Sequence, residues 1–71
     1  MLNKLEYRRD RFIKDLIWLA ELKEKGVIGA KYDYKVTVRA LLETKEEICK
    51  VKGESISEHL KKLLKKTEDW L

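Results

Sequence analysis

Residues 31–40 constrain this chain more than any other stretch. In Lys31-Tyr32-Asp33-Tyr34-Lys35-Val36-Thr37-Val38-Arg39-Ala40, every even position is apolar or aromatic and every odd one is polar. Unbroken period-two alternation, rich in β-branched and aromatic side chains, predicts a strand with one buried face. A strand must pair its backbone N–H and C=O groups, and no other segment of the 71 residues reads as a second strand. The economical mate is the same segment of another copy, antiparallel across a twofold axis. Tyr34, Val36 and Val38 then turn onto the helices, and Lys35, Thr37 and Arg39 face outward twice.

The flanking segments have helical spacing. Over residues 2–25, Leu2, Leu5, Phe12, Leu16 and Leu19 form an apolar stripe that Ile13, Ile17 and Ala20 widen. Asn3 and Glu6 offer a capping box at the start; Lys23, Lys25 and Gly26 suit the C-terminal end. Gly26-Val27-Ile28-Gly29 is the turn that follows. Residues 41–52 place Leu41, Ile48 and Val51 on one side, with Leu42 and Cys49 beside them, and Gly53 ends that helix. Ser55-Ile56-Ser57-Glu58 matches a second capping box, with Ser55 as N-cap worth about 1 kcal/mol. Ile56, Leu60, Leu63 and Leu64 follow as the stripe of a last helix, which Thr67, Trp70 and Leu71 extend. The expected order is helix, strand, helix, helix: a mainly α chain with one strand. Residues 1–30 form an N-terminal helix and turn, and residues 31–71 form the second unit.

Composition narrows the functions. Below roughly 70–80 residues, folds lean on disulfides, a metal or a second copy. A single cysteine, Cys49, rules out a disulfide within the chain, and one Cys with one His, His59, rules out a structural zinc cluster. Self-association is the stabiliser that remains. Cys49 reads as a small buried hydrophobe, and His59 as a surface or dimer-interface residue. No nucleophile–base pair, carboxylate pair in a cleft or metal set stands out, so no enzyme, cofactor or metal is expected. No run reaches the about 20 apolar residues of a membrane span and no signal peptide is visible, so a soluble, cytoplasmic protein is expected. Thirteen Lys and nine Glu against one Asn and no Gln lean towards a hot-growing source.

The formal charge is +4, and the excess is densest just before residue 40, where Lys31, Lys35 and Arg39 face Asp33 alone. A two-stranded ribbon fits the major groove of B-DNA, where Arg grips guanine and Thr meets a thymine methyl.

Residues 34–66 resemble the ribbon–helix–helix family of dimeric DNA-binding proteins, the Arc/MetJ/CopG type. Lys35-Val36-Thr37-Val38-Arg39 is similar to the family's ribbon. Glu43-Thr44-Lys45-Glu46-Glu47-Ile48 through Lys52-Gly53-Glu54-Ser55 resembles archaeal VapB-type antitoxins, and Ser55-Ile56-Ser57-Glu58-His59-Leu60 the start of the family's second helix. The resemblance implies an intertwined homodimer with an added N-terminal helix, a small transcriptional regulator or repressor on double-stranded DNA. It implies base contacts from Lys35, Thr37 and Arg39, and phosphate contacts from Ser55, Ile56, Ser57 and Lys61. The expected dimer core is Tyr34, Val36, Val38, Ile48, Val51, Leu60 and Leu63.

Other features point elsewhere. Lys61, Lys62, Lys65 and Lys66 read as the wet face of a helix. Tyr7, Arg11, Trp18 and Leu22 lie opposite the main stripe of the first helix, and Tyr7, Trp18 and Leu22 suit a second, partner-binding surface. The runner-up reading is accordingly a dimeric protein–protein module, antitoxin-like or an assembly factor, whose first helix binds a partner. A third reading makes residues 34–52 one long helix in an all-α bundle, against the preference of Val36, Thr37 and Val38.

Overall fold

The computed structural model describes residues 2–70, and they are helical almost throughout. Helix α1 spans Leu2–Glu24, α2 spans Ala30–Lys52, α3 spans Glu58–Thr67, and a 3₁₀ turn, Glu68–Trp70, closes the chain. Leu71 lies outside the described residues. There is no strand among the described residues, so the helix–strand–helix–helix order and the intertwined ribbon–helix–helix dimer are overturned. Residues 31–40 lie wholly within α2, as in the all-α alternative, and the helix starts four residues earlier than that alternative placed it.

A second periodicity in the same residues explains the outcome. Ala30, Tyr34, Thr37, Leu41, Thr44, Ile48 and Val51 recur at alternating steps of four and three, the spacing of a helix seam. Leu2, Leu5, Arg9, Phe12, Leu16, Leu19 and Lys23 do the same in α1. The two seams meet along an antiparallel hairpin in which Leu5, Leu19, Ala30, Leu41, Thr44 and Ile48 are buried. A helix closes its backbone hydrogen bonds within itself, whereas a strand here needs another molecule, and a lone two-stranded ribbon is marginal in water. Against that, placing Val36, Thr37 and Val38 in a helix costs at most about 0.7 kcal/mol each.

Gly26 and Gly53 terminate α1 and α2 in the same way. Each has positive φ, 76° and 73°, which suits a residue without Cβ. At the first, the Gly26 N–H donates to Lys23 O and the Val27 N–H to Leu22 O; at the second, Gly53 donates to Lys50 O and Glu54 to Cys49 O. This is the Schellman pattern, which satisfies carbonyls left over at a helix end. Lys23 Nζ, in the last turn of α1, sits 4.9 Å from the centre of the Tyr34 ring and clips the turn end of the hairpin.

Helix α3 folds back along the other side of α2, fixed by Arg39. The Arg39 Nη1 donates to Leu64 O at 2.6 Å and to Thr67 Oγ1 at 3.1 Å, while its Nε donates to Glu43 Oε1 at 2.9 Å. Thr67, almost fully buried, passes its own proton to the carbonyls of Leu63 and Leu64. Further along, Lys35 Nζ lies 5.8 Å from the centre of the Trp70 ring. With α1 on one side and α3 on the other, α2 is the middle of the molecule. That is why residues 34–40 are all half-buried, the polar ones as much as the apolar ones. Alternation that predicts one wet face and one dry face is here read from two opposite sides of a central helix.

The product is thin, 41 × 25 × 16 Å, with a radius of gyration of 13.1 Å, where a compact domain of this length has about 11 Å. No side chain is fully buried among the described residues.

Two outcomes are expected. Far-ultraviolet circular dichroism should show helix without a β component. Arg39→Met should lower the unfolding free energy by about 2 kcal/mol, the worth of charge-assisted bonds to a part-buried partner. Arg39→Lys should not restore it in urea titrations, because one ammonium cannot reach Leu64, Thr67 and Glu43 together.

Candidate interaction surfaces

Two surfaces stand out. The first is a groove of about 340 Å³ above α2, between α1 and α3, lined by Arg9, Leu42, Lys45, Ile48, Cys49, Ser57, His59, Leu60 and Leu63. Helix α2 supplies its floor, α3 one wall, and Arg9 of α1 the other. Ile13 and Ile17 continue the Arg9 side of α1 one and two turns further along, and both are exposed, Ile17 by 62%. The groove's polar groups sit around an apolar floor, because Leu42, Ile48 and Leu60 are buried. Cys49, half-buried, and His59, exposed, are brought to this one groove from two helices, and no hydrogen bond joins them.

The second surface is the outward row of α1. Tyr7, Arg11, Lys14 and Trp18 follow at steps of four, three and four residues, so they share one face, with Lys4 and Arg8 on its flank. All six are exposed. Shallow clefts lie on both sides of Tyr7, one lined with Asn3, Lys4, Arg8 and Arg11, the other with Asp10, Arg11 and Lys14. The acids nearby are engaged: Asp10 Oδ1 takes Arg9 Nε at 3.1 Å, and Asp15 Oδ1 lies 3.8 Å from Arg11 Nε.

The residues expected to read bases have other surroundings. Lys35, Thr37 and Arg39 are on α2, with no ribbon face to share. Thr37 Oγ1 donates to Asp33 O at 2.8 Å, Lys35 covers Trp70, and Arg39 is held by α3. Their alternation with Tyr34, Val36 and Val38 places successive side chains about 100° apart on a helix rather than on opposite faces.

The second capping box is shifted. Helix α3 starts at Glu58, and its N-cap is Ser57, whose Oγ accepts the Leu60 N–H at 3.1 Å; Ser55 is exposed in the preceding loop. A Ser two residues before the true cap made the Ser-x-x-Glu pattern place the cap two positions too far towards the loop. Ile56 is half-buried there, and Lys61 lies 3.6 Å from Glu58.

Of the expected dimer core, Ile48 and Leu60 are buried within the chain itself. Tyr34, Val36, Val38 and Leu63 are half-buried, and Val51 is exposed. Of the expected partner surface, Tyr7 and Trp18 are exposed by 69% and 60%, and Leu22 is half-buried. Thr67, expected to extend the stripe of the last helix, is buried; Thr44, the other buried hydroxyl, was not among the expected core residues, and its Oγ1 donates back to Ala40 O at 2.8 Å. A Thr at a seam position, four residues after a carbonyl it can reach, is the signal that could have found Thr44.

Among the described residues, no group of three or more His, Cys, Asp or Glu side chains converges to hold a metal ion. No helix among the described residues is long and apolar enough to cross a membrane. Comparison with family models, curated proteins and solved structures finds no match to this chain.

The cap assignment yields a paired test. Ser57→Ala should cost about 1 kcal/mol in thermal or urea unfolding, while Ser55→Ala should fall within about 0.5 kcal/mol of the parent.

Proposed function

We propose that this protein is a self-associating helical interaction module, a binding protein rather than an enzyme, whose groove beside Ile13 and Ile17 is covered by a second copy of the chain. One observation carries the reading: the surface left over. The chain exposes 5534 Å², whereas a compact monomer of its mass exposes about 4,700 Å². The excess, roughly 800 Å², matches the about 800 Å² that each partner buries in a stable interface of ordinary size.

The chemistry of that surplus supports the same reading. Ile13, Ile17 and Val51 are exposed on seams or beside them, and Val27 and Ile28 are exposed in the turn, Ile28 by 99%. Single exposed apolar side chains are ordinary, but a groove with a buried apolar floor, with exposed Ile13 and Ile17 further along the same side of α1, is what a helix of another molecule fills. At 25 cal/mol per Å², covering both copies' apolar share would supply the stability that a thin layer lacks. Duplex reading by a paired β-ribbon has no ribbon to carry it.

Sedimentation equilibrium should give twice the 8.5 kDa chain mass at micromolar concentration. Ile17→Glu and Ile13→Glu should each shift the protein towards monomer while the helical signal of the concentrated sample persists. A parent protein that sediments as a monomer at every concentration tested would overturn the proposal.

A further inference from the structure

The outward row of α1 has a composition that folding does not require. Tyr7 and Trp18 stand on the polar side of a helix whose apolar seam is already occupied by α2, so neither ring is needed for the hairpin. They lie eleven residues apart on one face, about 16 Å along the axis, with Arg11 and Lys14 between them and Lys4 and Arg8 alongside. Along residues 3–18, exposed Lys4, Arg8, Arg11 and Lys14 stand against exposed Asp10, with the half-buried Asp15 lying 3.8 Å from Arg11 Nε. Tyr7 and Trp18 are largely exposed, and among the described residues the cation–ring contacts fall on other rings, Tyr34 and Trp70.

We infer that this face binds single-stranded nucleic acid, the cations tracking phosphates and the two rings stacking on bases. Charge complementarity selects a polyanion, and the rings select one with uncovered π-faces. A single strand offers both, while a duplex keeps its bases stacked on one another and presents only edges and phosphates. The clefts on either side of Tyr7 give a base room to lie against the ring, within reach of Arg8 and Arg11 on one side and Lys14 on the other. A membrane surface fits less well. Interfacial helices present a continuous apolar face to lipid, whereas here the aromatic positions are separated by cations and the continuous apolar face is turned inward. The inference does not depend on self-association, because Ile13 and Ile17 lie on the other flank of α1 from Tyr7 and Trp18.

Fluorescence anisotropy with labelled oligo(dT) across a salt series tests it. The parent protein should bind at low salt, with affinity falling steeply as salt rises. Tyr7→Ala and Trp18→Ala should each weaken binding by roughly 5- to 150-fold, as loss of one stacked base does. The double variant Arg11→Gln, Lys14→Gln should flatten the slope of log affinity against log salt by about 1.4. These side chains are exposed, and an unchanged helical spectrum and sedimentation profile would show that the fold and assembly persist. No binding at low salt would overturn the inference, as would binding indifferent to both ring substitutions. So would equal or tighter binding to a duplex of the same length, or a preference for anionic vesicles over the oligonucleotide.

Discussion

The seam between α1 and α2 is the interaction on which the remaining structure depends. It is built from two four–three repeats that run the length of both helices, and it buries Leu5, Leu19, Ala30, Leu41, Thr44 and Ile48. Most helical stability in proteins comes from packing an apolar face rather than from propensity, so the pairing is what makes either of them persist. Once α2 is fixed against α1, its opposite side is set at a known level and angle. Arg39 then points where the end of α3 must lie: its guanidinium, braced by Glu43 on α2, makes two hydrogen bonds that attach a ten-residue helix that could not stand alone.

This order of construction accounts for the thinness of the molecule. A bundle that closes places each helix against two others, and its centre is dry. Here α1 and α3 both lie along α2 and leave a groove between themselves. A central helix with a neighbour on each side has little free surface, while each outer helix keeps most of its circumference. Helix α1 therefore carries two distinct flanks, one with exposed Ile13 and Ile17 on the side of Arg9, the other basic and aromatic. The proposed functions follow from that division: one flank meets apolar surface, the other meets an anion.

How legible this was can be judged from particular residues. The extent of α1, its end at Gly26 and the end of α2 at Gly53 are readable because they rest on local chemistry: apolar spacing, a terminal glycine and the cations before it. Tyr7 and Trp18 were visible as residues lying off the main stripe. Residues 31–40 misled because two periods coexist in them. Period two is conspicuous over ten residues, but the four–three seam extends from Ala30 to Val51 and needs a longer window to be seen. The role of Arg39 was out of reach, since its partners Leu64 and Thr67 lie 25 and 28 positions away.

The amino-acid order alone thus determined where α1 and α2 stop, which face of α1 is apolar, and that two rings bracket two cations on its outside, because each of these is settled within a few residues of backbone. Whether residues 31–40 coil or extend was decided only by tertiary structure. A strand and a helix there differ little in local preference, and the balance is tipped by what lies alongside: α1 offers those residues a seam within the same molecule, while no second strand is at hand.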